Sequence, residues 1–203
     1  MPEYTTDDIK VLRGLELIRN RPGMYFPTTG RGIAIYLLEQ TLTSILDTKF
    51  CSQATAIELK VPSKGGLIIR YDGIGMPTEL EEMHGIMHPI VYKSIMQPFF
   101  FLREPPNFIQ YGHLCEIGGF LSAFCKELTL VTVKEGHEFV SSFSFGAVLT
   151  LMSKIPRKVY TANEIYILFD ESILDGQPIN DTDLQKVLKN IEFEKYDCKV
   201  TIS

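Results

Sequence analysis

Two apolar periods alternate along this chain, and the longest regular stretch runs from Gly30 to Asp47. Leu38, Leu42 and Ile45 recur there at three- and four-residue spacing, which predicts one apolar stripe of a helix. Glu39, Thr43 and Asp47 stand four apart and stack polar side chains on a second face. Upstream, Leu12, Leu15 and Ile18 keep helical spacing until Pro22-Gly23 forces a turn. After the central helix, 56–61 and 67–71 read as strands, with Pro-Ser-Lys-Gly-Gly at 62–66 as the turn of a hairpin. Tyr71-Asp-Gly-Ile-Gly-Met-Pro77 then breaks the second strand.

From 80 to 101 the spacing predicts helix, passing into the most apolar segment of the chain at 95–102. Arg-Glu-Pro-Pro-Asn at 103–107 predicts a loop, and Gly118-Gly119 leads into a short predicted helix, 120–126. Strands are predicted over 128–133, 138–145 and 147–153, separated by turns short enough for antiparallel pairing. A strand at 165–169 precedes a helix opening with the capping pattern Thr182-Asp-Leu-Gln185, and 199–202 closes the chain as a strand. Helices gathered with antiparallel hairpins predict an α+β, two-layer architecture. No repeat or linker interrupts it, so 1–203 reads as a single domain.

Composition narrows the function class. A net charge of -5 with no Lys/Arg run argues against direct nucleic-acid binding. The four cysteines form no C-x-x-C pair, which suggests reduced thiols in a cytoplasmic protein and no zinc knuckle; Cys115 and Cys125 read as small buried apolar residues. The polar start and the lack of a long apolar span predict no membrane segment. His84 and His88 stand at i, i+4 near Glu81 and Glu82, a spacing open to metal binding, but solvated surface histidines are favoured because Pro89 follows directly.

The run Val11-Leu-Arg-Gly-Leu-Glu-Leu-Ile-Arg-Asn-Arg-Pro-Gly-Met-Tyr25 closely resembles the opening of the ATPase domain of bacterial gyrase B subunits and their topoisomerase IV counterparts. The match continues in register through 72–77, 128–136, 164–169 and 183–202, covering nearly the whole chain. It corresponds to the first subdomain of that ATPase fragment, and no part resembles the transducer domain. The resemblance implies the GHKL fold: a two-layer α/β sandwich of helices on one face of a mixed, mostly antiparallel sheet, with ATP held between the layers.

What the resemblance implies for individual positions is uneven. Glu39 matches the family's general base, while Thr43 stands where an asparagine ligates magnesium and Leu42 where gyrases carry an acid. Gly73, Gly75, Met76 and Pro77 match the adenine-binding loop, but Tyr71 takes the place of its aspartate. Asp72 is one residue along, and a one-residue slip in a strand points a side chain to the other face. Gly112, Gly118 and Gly119 fall in the phosphate-cradling lid, yet Glu116 stands where a glycine belongs, and Pro98-Phe-Phe-Phe101 replaces the lid's glycine pair and lysine. Phe99, Phe100 and Phe101 read as an exposed docking patch or, in preference, as a core plug over the old pocket. Lys134 takes the place of an arginine near the nucleotide's edge.

These substitutions predict a GHKL domain that has lost ATP binding and hydrolysis, needs no cofactor or metal, and acts as an interaction or regulatory module. The implied partner is a topoisomerase subunit or a second copy, since Tyr4 lies where the family has a dimerising N-terminal arm. The alternative is an atypical ATP- and magnesium-binding protein or ATPase using Glu39 with the Asp72-Gly73-Ile74-Gly75 loop.

Overall fold

The computed structural model of the protein describes residues 15–46, 54–83, 85–96, 112–156 and 162–203. Its frame is a seven-stranded sheet in the order β7-β6-β5-β8-β2-β1-β9. The strands are β1 (Ala56–Lys60), β2 (Leu67–Tyr71), β5 (Cys125–Lys134), β6 (His137–Ser144), β7 (Ala147–Pro156), β8 (Asn163–Phe169) and β9 (Lys199–Ile202). Every pairing is antiparallel except β1 with β9, which is parallel. A separate hairpin joins β3 (Leu80–Met83) to β4 (Ile86–Pro89). The expected mixed, mostly antiparallel α+β architecture is present.

Register turns alternation into a core. Phe143, Leu128, Ile167 and Leu67 face one another across four strands, and Leu130, Ile165, Ile69 and Leu59 form the next row. All eight are buried, and the α-helices among the described residues are α1 (Leu15–Asn20), α2 (Arg31–Leu46), α3 (Ile90–Met96), α4 (Gly112–Phe124) and α5 (Asp181–Ile191). On the opposite face a polar row crosses the same strands. Arg70 there lies between Glu164 (2.7 Å) and Glu58 (3.2 Å). α2 is buried beyond the expected stripe: Ile33, Leu37, Leu38, Thr41, Leu42 and Ile45 all lose their solvent. Thr41 tolerates this because its hydroxyl donates to the Leu37 carbonyl (2.7 Å).

Three expectations are corrected. The segment after Leu80 is not helical until Ile90, because Gly85 takes the left-handed conformation (φ 78°) and turns the chain into the β3–β4 hairpin. His88 therefore stands in a strand opposite Glu81, not on a helix face; His84 lies outside the described residues. α4 begins at Gly112, runs through Gly118-Gly119 and ends at Phe124, so Cys125 and Lys126 open β5 instead of closing a helix. The helix near the C-terminus is capped by Asn180 and not by Thr182. The Asn180 side chain accepts from the N–H groups of Thr182 and Asp183, while the Asp183 side chain accepts from the Asn180 N–H. Among the described residues, no helix is long and apolar enough to cross a membrane.

Candidate functional site

The end of β2 delivers two neighbouring side chains to opposite faces of the sheet. Tyr71 points into the core between Ile57 of β1 and Asn163 of β8 and is 2% exposed. Asp72 turns the other way. Its carboxylate accepts from the N–H groups of Thr55 (2.8 Å) and Ala56 (3.0 Å) and from the Thr55 hydroxyl (2.6 Å). Partial burial alone would raise its pKa, but these hydrogen bonds outweigh that and hold the carboxyl below its usual range. Asp72 thus fastens the start of β1.

The loop that follows is clasped by two side chains. The Asn163 amide donates to the Gly73 carbonyl (2.5 Å), and its oxygen accepts from the Val133 N–H (2.9 Å). The Thr132 hydroxyl donates to the Met76 carbonyl (3.1 Å). This contact requires Gly75, where a Cβ would meet Thr132 at 2.6 Å and Asn163 at 2.7 Å. Gly118 is explained in the same way, since a Cβ there would lie 2.8 Å from Ile95 and 3.2 Å from Met76. Two of the glycines matched by the resemblance, Gly75 and Gly118, therefore have a reason in the chain's own packing. Met76 and Pro77 are buried.

Gly118 and Gly119 sit in the body of α4, where backbone N–H groups are already donated to carbonyls four residues back. Gly112 begins that helix, and the backbone at Cys115 and Glu116 is part of it. Pro98, Phe99, Phe100, Phe101 and Tyr4, with the plug and arm expected of them, lie outside the described residues. Lys134 pairs with Glu79 (2.9 Å). Burial pushes the Glu79 carboxyl up, but the Lys134 hydrogen bond and backbone N–H donors bring it below the usual range. Gly73, Ile74, Gly75, Met76, Thr132, Val133 and Lys134 leave a cavity of only about 270 Å³.

On α2, Glu39 and Thr43 are half-buried one turn apart. The Glu39 carboxylate accepts from the Asn190 amide of α5 (2.5 Å). Among the described residues no group of three or more His, Cys, Asp or Glu side chains is placed to hold a metal ion. Cys125 is fully buried, and burial pushes its thiol well above the usual range. Sequence reasoning missed Asn163, Thr132 and Asn190. The one local signal was Asn163 itself, since asparagine is depleted in strands such as Asn-Glu-Ile-Tyr-Ile-Leu-Phe.

No family model matches the chain. Among curated proteins it is similar to the DNA gyrase B protein of Campylobacter jejuni, 23% identical over 201 residues, covering 98% of this chain and 26% of that protein. The DNA gyrase B protein of Mycolicibacterium smegmatis is 36% identical over 78 residues, 38% of this chain and 12% of that protein. The corresponding DNA topoisomerase 4 protein of Caulobacter vibrioides is 39% identical over 77 residues, 38% of this chain and 11% of that protein. The chain thus spans about a quarter of the length of the gyrase protein it matches from end to end. Its fold matches the 43K ATPase domain of Thermus thermophilus gyrase B, solved in complex with an aminocoumarin. The TM-score is 0.73 at 18% identity, covering 93% of this chain and 48% of that one. Sequence and structure agree on the likeness: the chain is similar over its whole length to DNA gyrase B proteins and has the fold of the gyrase B 43K ATPase domain.

Proposed function

We propose that this domain has lost ATP binding and hydrolysis and works as a non-catalytic interaction or regulatory module, with a topoisomerase subunit or a second copy as its partner. The observation that carries this reading is the pair at the end of β2. A phenol is buried where the resemblance implies an adenine-binding carboxylate, and the neighbouring carboxylate is committed to Thr55 and Ala56 on the far face. An adenine amino group has no carboxylate to donate to from that strand end. The remaining family positions support the same reading. Glu39 is engaged by Asn190, and Thr43 has too short a side chain to reproduce an asparagine's hold on magnesium. The N–H groups of Gly118 and Gly119 are spent within α4. On this reading the residues present do not fit ATP and magnesium, and no catalytic step is assigned to them.

Phosphate release from ATP, followed in wild-type protein and in Glu39→Gln, tests the hydrolytic half of the proposal. Both are expected to be indistinguishable from buffer. Turnover in the wild type that Glu39→Gln abolishes would restore the reading in which Glu39 is a general base working with the Asp72–Gly75 loop.

A further inference from the structure

At the other end of the sheet from the Gly73 loop lies a larger cleft, of about 990 Å³. It opens where the β1–β2 turn, the end of β8 and the start of β5 meet the loop leading into α5. Its volume is at the top of the range for small-ligand pockets, roughly 300–1,000 Å³. Val61, Leu168 and Ile202, each partly exposed, give it an apolar floor laid over the buried Phe169, Leu174 and Ile179. Its two walls differ in charge. Lys64 and Lys126 stand on the sheet side, Glu171 and Asp181 on the helix side. Neither lysine makes an ion pair or hydrogen bond among the described residues.

An apolar floor beside two uncommitted cations suits a molecule with an apolar body and one anionic head. We propose that this cleft binds an amphiphilic carboxylate, its head at Lys64 and Lys126 and its body over Val61, Leu168 and Ile202. The opposite carboxylates, Glu171 and Asp181, repel the head and so fix which way round the ligand lies. The inference is independent of the nucleotide reading, because Gly65, Lys126 and Phe169 are at the strand ends remote from Tyr71, Lys134 and Asn163.

The test titrates the whole chain with decanoate, kept below its micellar concentration, and in parallel with uncharged decanol, reading backbone amide shifts by NMR. Decanoate is expected to move the amides of Gly65, Leu168 and Gly176 saturably and to bind more tightly than decanol. The double variant Lys64→Glu/Lys126→Glu changes two exposed side chains, so it should keep the wild-type circular dichroism. It should weaken decanoate at least tenfold and leave decanol unchanged. Unmoved amides at those positions, equal affinity for decanol, or undiminished decanoate binding in the double variant would each overturn the proposal.

Discussion

Replacing Tyr71 by aspartate, the residue that the family resemblance puts at this position, is expected to destabilise the fold by about 4 kcal/mol or more and not to create a nucleotide site. Removing a fully buried aromatic ring costs about 3–5 kcal/mol through lost burial and the space left behind. The new carboxylate would add a desolvation cost at a position that is 2% exposed. Its flanking residues are Ile57 and Asn163, and the Asn163 amide group is already spent on Gly73 and Val133. Urea unfolding of wild type, Tyr71→Asp and Tyr71→Phe separates the contributions. The phenylalanine variant keeps the ring and should lose no more than the ~0.5–1.5 kcal/mol of a net hydrogen bond. An aspartate variant as stable as wild type would mean that the core beside β2 is open enough to hydrate a charge.

Arg31→Ala should have the second-largest effect, about 2–4 kcal/mol, because it removes the one cation that donates to a half-buried carboxylate and three carbonyls together. Arg31 is the first residue of α2. It donates to both oxygens of Asp183 (3.1 and 2.5 Å) and to the carbonyls of Leu174, Gln177 and Pro178 (3.1, 2.6 and 2.9 Å). One side chain thus ties the central helix to α5 and to the loop before it. Burial pushes the Asp183 carboxyl up, but the Arg31 hydrogen bonds and the Asn180 N–H prevail and hold it below its usual range. A carboxylate with a lowered folded-state pKa contributes stability that is present above its unfolded value, about pH 3.9, and is lost as pH falls through the folded value. The stability difference between wild type and Arg31→Ala should therefore be full at neutral pH and shrink below about pH 4. Chemical unfolding at neutral and acid pH measures it, and a difference independent of pH would assign the loss to the carbonyl contacts alone.

Much of the fold was legible because the sheet is built from local hairpins. The β1–β2, β5–β6 and β6–β7 turns carry glycines with positive φ at Gly65, Gly66, Gly136 and Gly146, and β1 and β2 alternate cleanly between buried and more exposed positions. The β3–β4 hairpin was not legible. Its four-residue strands repeat too few times to set a period, and Glu81, Glu82 and His88 imitate a helix face. Gly118-Gly119 was misread as a break because glycine is a poor helix former. In the folded chain these residues lie inside α4, and Gly118 lets Ile95 and Met76 come close. At the candidate site, the resemblance drew attention to Tyr71, Asp72 and Glu39. It could not supply what holds them and their loop. Asn163 reaches Val133 across 30 residues and Gly73 across 90, and Asn190 reaches Glu39 across 151. No local pattern encodes such pairs.

The most direct test of the central claim is calorimetric titration of the purified chain with a non-hydrolysable ATP analogue, with and without magnesium. The buried Tyr71, the committed Asp72 and the engaged Glu39 predict no heat beyond dilution up to millimolar ligand, under both conditions. A saturable isotherm in the micromolar range, weakened by Glu39→Ala or Asp72→Ala, would contradict the account and return the domain to the nucleotide-binding members of its fold.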